Sequence, residues 1–143
     1  MPVGCDRQPP PLVAMVGFKR SRLAWFGGIR VLVARDGIAR LLGRRGRVDL
    51  EVPIASLTAR LTKWRVVELR SDSGSVIVYG FTEITKVSAE LEEIAAREAD
   101  GAELIGPAPA GALGFYSPKQ VTGAAAVSRA LTEALHERGA GAA

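Results

Sequence analysis

The chain has one cysteine, Cys5, and one histidine, His136, among 143 residues. One thiol cannot close an internal disulfide, and one of each cannot supply a four-ligand zinc site. The two also lie too far apart in sequence to suggest a Cys–His nucleophile pair, and no G-x-S-x-G elbow frames a serine. Phosphate-cradling glycine motifs of the G-x-x-x-x-G-K-[ST] and G-x-G-x-x-G types are missing as well. Apolar runs are far shorter than the roughly 20 residues that cross a bilayer as a helix. Aromatics are scarce, at 6%. The opening MPVGCDRQPPPLVAMVGF lacks the charged start and long apolar stretch of a secretion signal. These absences lead to the expectation of a cytoplasmic protein that is not an enzyme, holds no cofactor or metal and has no transmembrane segment.

What is present is enough apolar residue, 48%, for one domain with one core. Charge is divided unevenly. Residues 1–70 hold 14 Lys and Arg against 5 Asp and Glu, whereas residues 71–143 hold 5 against 10. The basic excess is densest from Lys19 to Arg47, where nine basic residues face a single Asp36. Such asymmetry suits an anionic partner: a membrane surface, an acidic protein or nucleic acid.

Residues 1–11, with Pro9-Pro10-Pro11, read as a disordered leader. Leu12 to Phe18 is an apolar run that fits a strand or a helix. From Ile29 the pattern is β. Ile29 to Ala34 is followed by Asp36-Gly37, whose preference for positive φ at both positions predicts a type I′ hairpin turn, and Ile38 to Leu42 returns. Arg47 to Val52 alternates, which predicts Val48, Leu50 and Val52 on a core and Arg47, Asp49 and Glu51 in water. Ile54 to Leu61, Trp64 to Leu69 and Val76 to Phe81 complete a meander of short strands at about ten-residue spacing.

The period changes after Phe81. Ile84, Val87, Leu91, Ile94 and Ala95 fall at helical spacing over about 83–99, opposite Glu90, Glu92, Glu93 and Arg97. Residues 106–116 read as a linker. Ser117-Pro118-Lys119-Gln120 is a capping box that opens a second helix, with a modest stripe at Ala124, Ser128, Leu131 and Leu135. That helix is too weakly apolar to stand alone and is expected to pack on the sheet or on a second chain.

The segments VLVARDGIARLLGRRG, VDLEVPIASLTARL and VVELRSDSGSVIVYGF, followed by a helix, resemble bacterial pleckstrin-homology-like (PH-like) proteins, particularly small actinobacterial ones. The resemblance covers residues 29–99. It implies an α+β PH-like roll over residues 12–105, a curled antiparallel sheet of about six or seven strands. The helix at about 83–99 caps it, and residues 117–143 add a C-terminal helix and tail. It implies a non-enzymatic interaction module rather than a catalyst, with a protein partner or an anionic membrane surface as the target. A nucleic-acid-binding small β-barrel is the alternative, and a small-ligand-binding protein or enzyme with a pocket between roll and C-terminal helix is a third.

The leading candidate site is the basic turn Gly43-Arg44-Arg45-Gly46-Arg47. Its three arginines can fork onto phosphate or carboxylate. Lys63 and Arg65, flanking Trp64, would join it if their loop lies at the same end. A secondary candidate is Lys19, Arg20 and Arg22 beside Trp25, since cations next to an aromatic cluster suit a membrane interface. The localisation expected from these sites is cytoplasmic and peripheral to the inner membrane face.

Overall fold

A computed structural model describes residues 9–20, 28–72, 74–80, 89–99, 101–105 and 124–142. The strands are β1 (Leu12–Lys19), β2 (Ile29–Arg35), β3 (Ile38–Leu42), β4 (Val48–Pro53), β5 (Thr58–Leu61), β6 (Val67–Ser71), β7 (Gly74–Tyr79) and β8 (Glu103–Ile105). The helices are α1 (Ala89–Glu98) and α2 (Ala124–Glu137). The sheet order is β4-β3-β2-β1-β7-β6-β5, antiparallel throughout, and β8 lies parallel to β1. The long strand β1 serves both halves: its end at Gly17–Lys19 pairs with β7 and its start at Leu12–Ala14 pairs with β8. This is the α+β class expected, with a curled open sheet consistent with a PH-like roll.

The apolar run of β1, ambiguous in sequence, is a strand buried on both faces. Leu12, Ala14, Val16 and Phe18 point into the main cluster with Leu32 and Ala34 of β2. Val13 and Met15 point the other way, with Val31 and Val33, onto Leu91, Ile94 and Ala95 of α1. A strand covered on both sides has no polar face, so its sequence shows no alternation. At the β2–β3 turn, Asp36 and Gly37 take φ of 54° and 78°, the two positive values a type I′ hairpin requires.

The two helices divide the work differently from the expectation that the mid-chain helix plugs the roll. Val127, Leu131, Ala134 and Leu135 of α2 belong to the main cluster inside the curl. Helix α1 instead covers the outer face of β1 and β2. Of the two placements expected for the C-terminal helix, on the sheet or on a second chain, the structure shows the first. Buried Ser128 accepts a hydrogen bond from the Gly80 amide at 2.9 Å, and the Thr132 hydroxyl donates to the Ser128 carbonyl at 2.9 Å. His136 Nε2 donates to the Ala59 carbonyl at 2.7 Å, which ties the helix end to β5. Beyond α2, Gly141 bonds the edge of β5 in parallel, its amide donating to the Leu57 carbonyl at 2.8 Å and its carbonyl accepting from the Ala59 amide at 2.9 Å.

The strand expected at Trp64 begins at Val67, because Thr62 to Val66 forms the turn between β5 and β6. The residues Cys5, Ile84, Val87 and Ser117–Gln120, together with the linker, lie outside the described residues.

Opposite Gly17 on β1 stands Tyr79 of β7. A Cβ at Gly17 would fall 2.3 Å from the ring carbons Cε2 and Cζ of Tyr79. The phenol therefore lies on the glycine, and its burial pushes the Tyr79 pKa above its usual value. Strand propensity alone predicts that Gly17→Ala stabilises by about 0.5–1 kcal/mol. The overlap predicts the opposite sign, a loss of about 1–3 kcal/mol. Urea denaturation of the variant reads the sign directly, and a gain in stability would refute the close approach.

Candidate functional site

Strand β3 ends in a tight basic turn. Arg44–Gly46 forms one 3-10 turn, closed by Arg47 N–H donating to Arg44 O at 3.1 Å and Gly43 N–H to Arg47 O at 2.8 Å. Arg45 takes φ 59° and ψ 37°, a left-handed conformation that arginine enters only when the surrounding bonds hold it there. One such bond comes from α1, where the Glu90 carboxylate accepts from the Arg45 amide. The side chains of Arg44, Arg45 and Arg47 are exposed.

The strand that follows carries a bulge. Leu41 pairs with Leu50 but Leu42 pairs with Val48, so Asp49 is an extra residue opposite no partner. A bulge re-aims side chains, and here it reverses part of the alternation read from sequence. Leu50 and Val52 are buried, and Arg47 and Glu51 face water as expected. Val48, expected in the core, is 49% exposed. Asp49, expected in water, has a side chain only 2% exposed.

Asp49 is the hub of the site. Its Oδ2 accepts from Arg30 Nε at 2.6 Å, and its Oδ1 accepts from Arg47 Nε at 3.0 Å and from Arg20 Nη2 at 3.4 Å. The Arg30 guanidinium also lies 4.7 Å from the centroid of the Phe18 ring and donates from Nη1 to the Ile29 carbonyl at 3.1 Å. Arg20 stands 5.8 Å from the same ring. Burial raises the Asp49 pKa, but hydrogen bonds and charge from Arg30 and Arg47 outweigh it and hold the carboxyl below its ordinary value. The ends of β1, β2, β3 and β4 thus meet in a cluster where one buried carboxylate organises three arginines. Arg44 and Arg45 add to its positive surface.

The structure therefore joins part of each candidate set. Arg47 of the first and Arg20 of the second share Asp49. Lys19 closes β1 opposite Ile77, one residue before Arg20. Arg22 and Trp25 lie outside the described residues. Lys63 and Arg65 lie in a turn at the same end of the sheet as the basic turn, on the row that Gly17 and Ile29 share, with β2, β1 and β7 between the two turns. Sequence reasoning missed Arg30 and Asp49. Arg30 did carry a signal, since it is a lone charge in a run otherwise apolar on both parities. Asp49 carried none, because a bulge leaves no mark on an alternating sequence.

Chemically, this cluster presents groups of the kind that can hold an anion. Arg47 and Arg20 are 51% and 64% exposed at their side chains, so their remaining N–H groups face solvent. Planar guanidinium forks match phosphate and carboxylate oxygens. Among the described residues, no group of three or more His, Cys, Asp and Glu is placed to hold a metal ion. A cavity of about 630 Å³ lies beside the β2–β3 turn, lined in part by Pro9, Pro10, Pro11, Ile54 and the arginines 35 and 138. Its arginines are engaged by the protein itself. Arg138 donates to the Pro10 and Ala134 carbonyls and to Glu103, and Arg35 to the Glu98 carbonyl.

No protein-family model, curated protein sequence or solved structure matches this chain.

Proposed function

We propose that this chain is a non-enzymatic interaction module, a PH-like roll of bacterial type, that docks on an anionic membrane surface through its basic cluster. The observation that carries the reading is the meeting of Arg20 and Arg47 on buried Asp49, with Arg44 and Arg45 exposed in the same turn as Arg47. Asp49 fixes two of these arginines without neutralising the surface they present. The surrounding charge agrees, since the basic half of the sequence supplies all four. The proposed setting is the cytoplasmic face of a membrane, with peripheral contact. No described helix is long and apolar enough to cross a bilayer.

Each lysine or arginine near an anionic surface contributes about 1 kcal/mol. Arg44→Ala/Arg45→Ala/Arg47→Ala is thus expected to weaken binding to anionic vesicles by about a hundredfold at low salt. Co-sedimentation with vesicles of graded anionic content, at low and physiological salt, measures this. Absence of wild-type binding at every lipid composition would rule the reading out. Tight, steeply salt-dependent binding of oligonucleotides instead would move the cluster to nucleic acid.

A further inference from the structure

The second basic group in the sequence, apart from the cluster, has its own chemistry. Trp64 is 54% exposed and stands at the tip of the β5–β6 hairpin. Its turn is held firmly. Thr62 N–H donates to Val66 O at 2.8 Å, Arg65 N–H donates to Thr62 O at 2.9 Å, and the Thr62 hydroxyl accepts from the Trp64 amide at 3.2 Å. The Lys63 ammonium lies 4.7 Å from the centroid of the indole. An exposed indole leaves apolar area in water, and a pre-ordered turn loses little further entropy on binding.

The rest of the hairpin is basic. Residues 58–71 hold Arg60, Lys63, Arg65 and Arg70 against Glu68. Arg60 and Arg70 share that carboxylate at 3.0 and 3.3 Å while staying 54% and 65% exposed. An amphipathic indole flanked by cations matches the headgroup region of an anionic bilayer, which accepts the ring, its N–H and the ammonium together. Stacking on successive bases fits less well, because it uses a series of exposed aromatics. Among the described residues the exposed large hydrophobics are Trp64 and Val48.

We propose that Lys63-Trp64-Arg65 is an interfacial anchor for an anionic bilayer, with the Trp64 indole seated among the headgroups. The proposal rests on the membrane reading above and adds a second, chemically different contact to it.

The test uses the full chain with Trp25→Phe, so that Trp64 is the sole tryptophan. On vesicles mixing phosphatidylglycerol and phosphatidylcholine, its emission should move to the blue and be quenched by lipids brominated near the top of the acyl chain. Trp64→Ala should lower partitioning onto the same vesicles by about tenfold. If Trp25→Phe fails to fold, the difference in emission between the native chain and Trp64→Phe reports the same signal. Vesicle binding with Trp64 emission unchanged would overturn the anchor and leave the arginine reading standing. No vesicle binding by the native chain would overturn both. Quenching of Trp64 by an oligonucleotide, with no change on vesicles, would also overturn the anchor.

Discussion

Asp49→Ala is expected to destabilise the fold by about 3–5 kcal/mol, because it leaves Arg30 charged and buried without a counter-charge. The Arg30 side chain is 9% exposed and its closest contact is Asp49, at 2.6 Å. Arg47 and Arg20 can swing into solvent, so they add little to the loss. Urea denaturation with an unchanged m-value would measure it. The decisive companion is the double variant Arg30→Met/Asp49→Leu. Removing both charges is often neutral or stabilising, so the double variant should recover most of what the single variant loses. A double variant as unstable as Asp49→Ala alone would show that the pair does not act as a unit.

The same carboxyl sets an acid limb of stability. Its folded pKa lies below the unfolded value near 3.8. Its stabilisation is therefore fully present above that value and is lost as pH falls through the folded pKa. The wild type should lose this contribution only below about pH 4. Asp49→Ala, already destabilised, should lack that limb.

Leu131→Ala is the second large effect, at about 3–5 kcal/mol, the upper part of the range for a leucine deleted from a packed core. Leu131 is fully buried between α2 and the inside of the curl. Strands bonded on both sides cannot collapse readily into the gap, and the cost rises with the cavity that remains. Leu91→Ala on α1, which covers one outer face, should cost less. Equilibrium denaturation of the two variants compares the helices directly. A loss below about 1 kcal/mol for Leu131→Ala would be incompatible with α2 as part of the core. Ending the chain at Ile105 removes α2 altogether and should expose the inner face of β5, β6 and β7.

The two helices and the Asp49 cluster differ in how far local sequence specifies them. The Asp36-Gly37 turn, the strands on either side of it and the burial of Leu91, Ile94 and Ala95 follow from turn chemistry and periodicity, both local. The place of α2 does not. Its stripe of Ser128, Leu131 and Leu135 is too small to suggest a core helix until the narrow space inside the curl is known. Asp49 is hidden for another reason. Its inward turn is a register event between β3 and β4, and register is a property of two strands at once. The basic turn was visible as composition, but its counter-charge and its link to Arg20 come from residues brought together by the sheet.

The position of α2 also governs how the molecule can be made. Strand β1, near the start of the chain, takes its partners from residues 74–79 and 103–105, and the cluster on its inner face includes residues 127–135. During vectorial synthesis the first strands emerge before α2, so the part of their inner faces that α2 covers waits for residues 127–135. Long-range closure of this kind folds slowly and lengthens the interval in which the nascent chain can associate wrongly. A pause in translation before α2 would therefore prolong the most vulnerable stage of the protein's life.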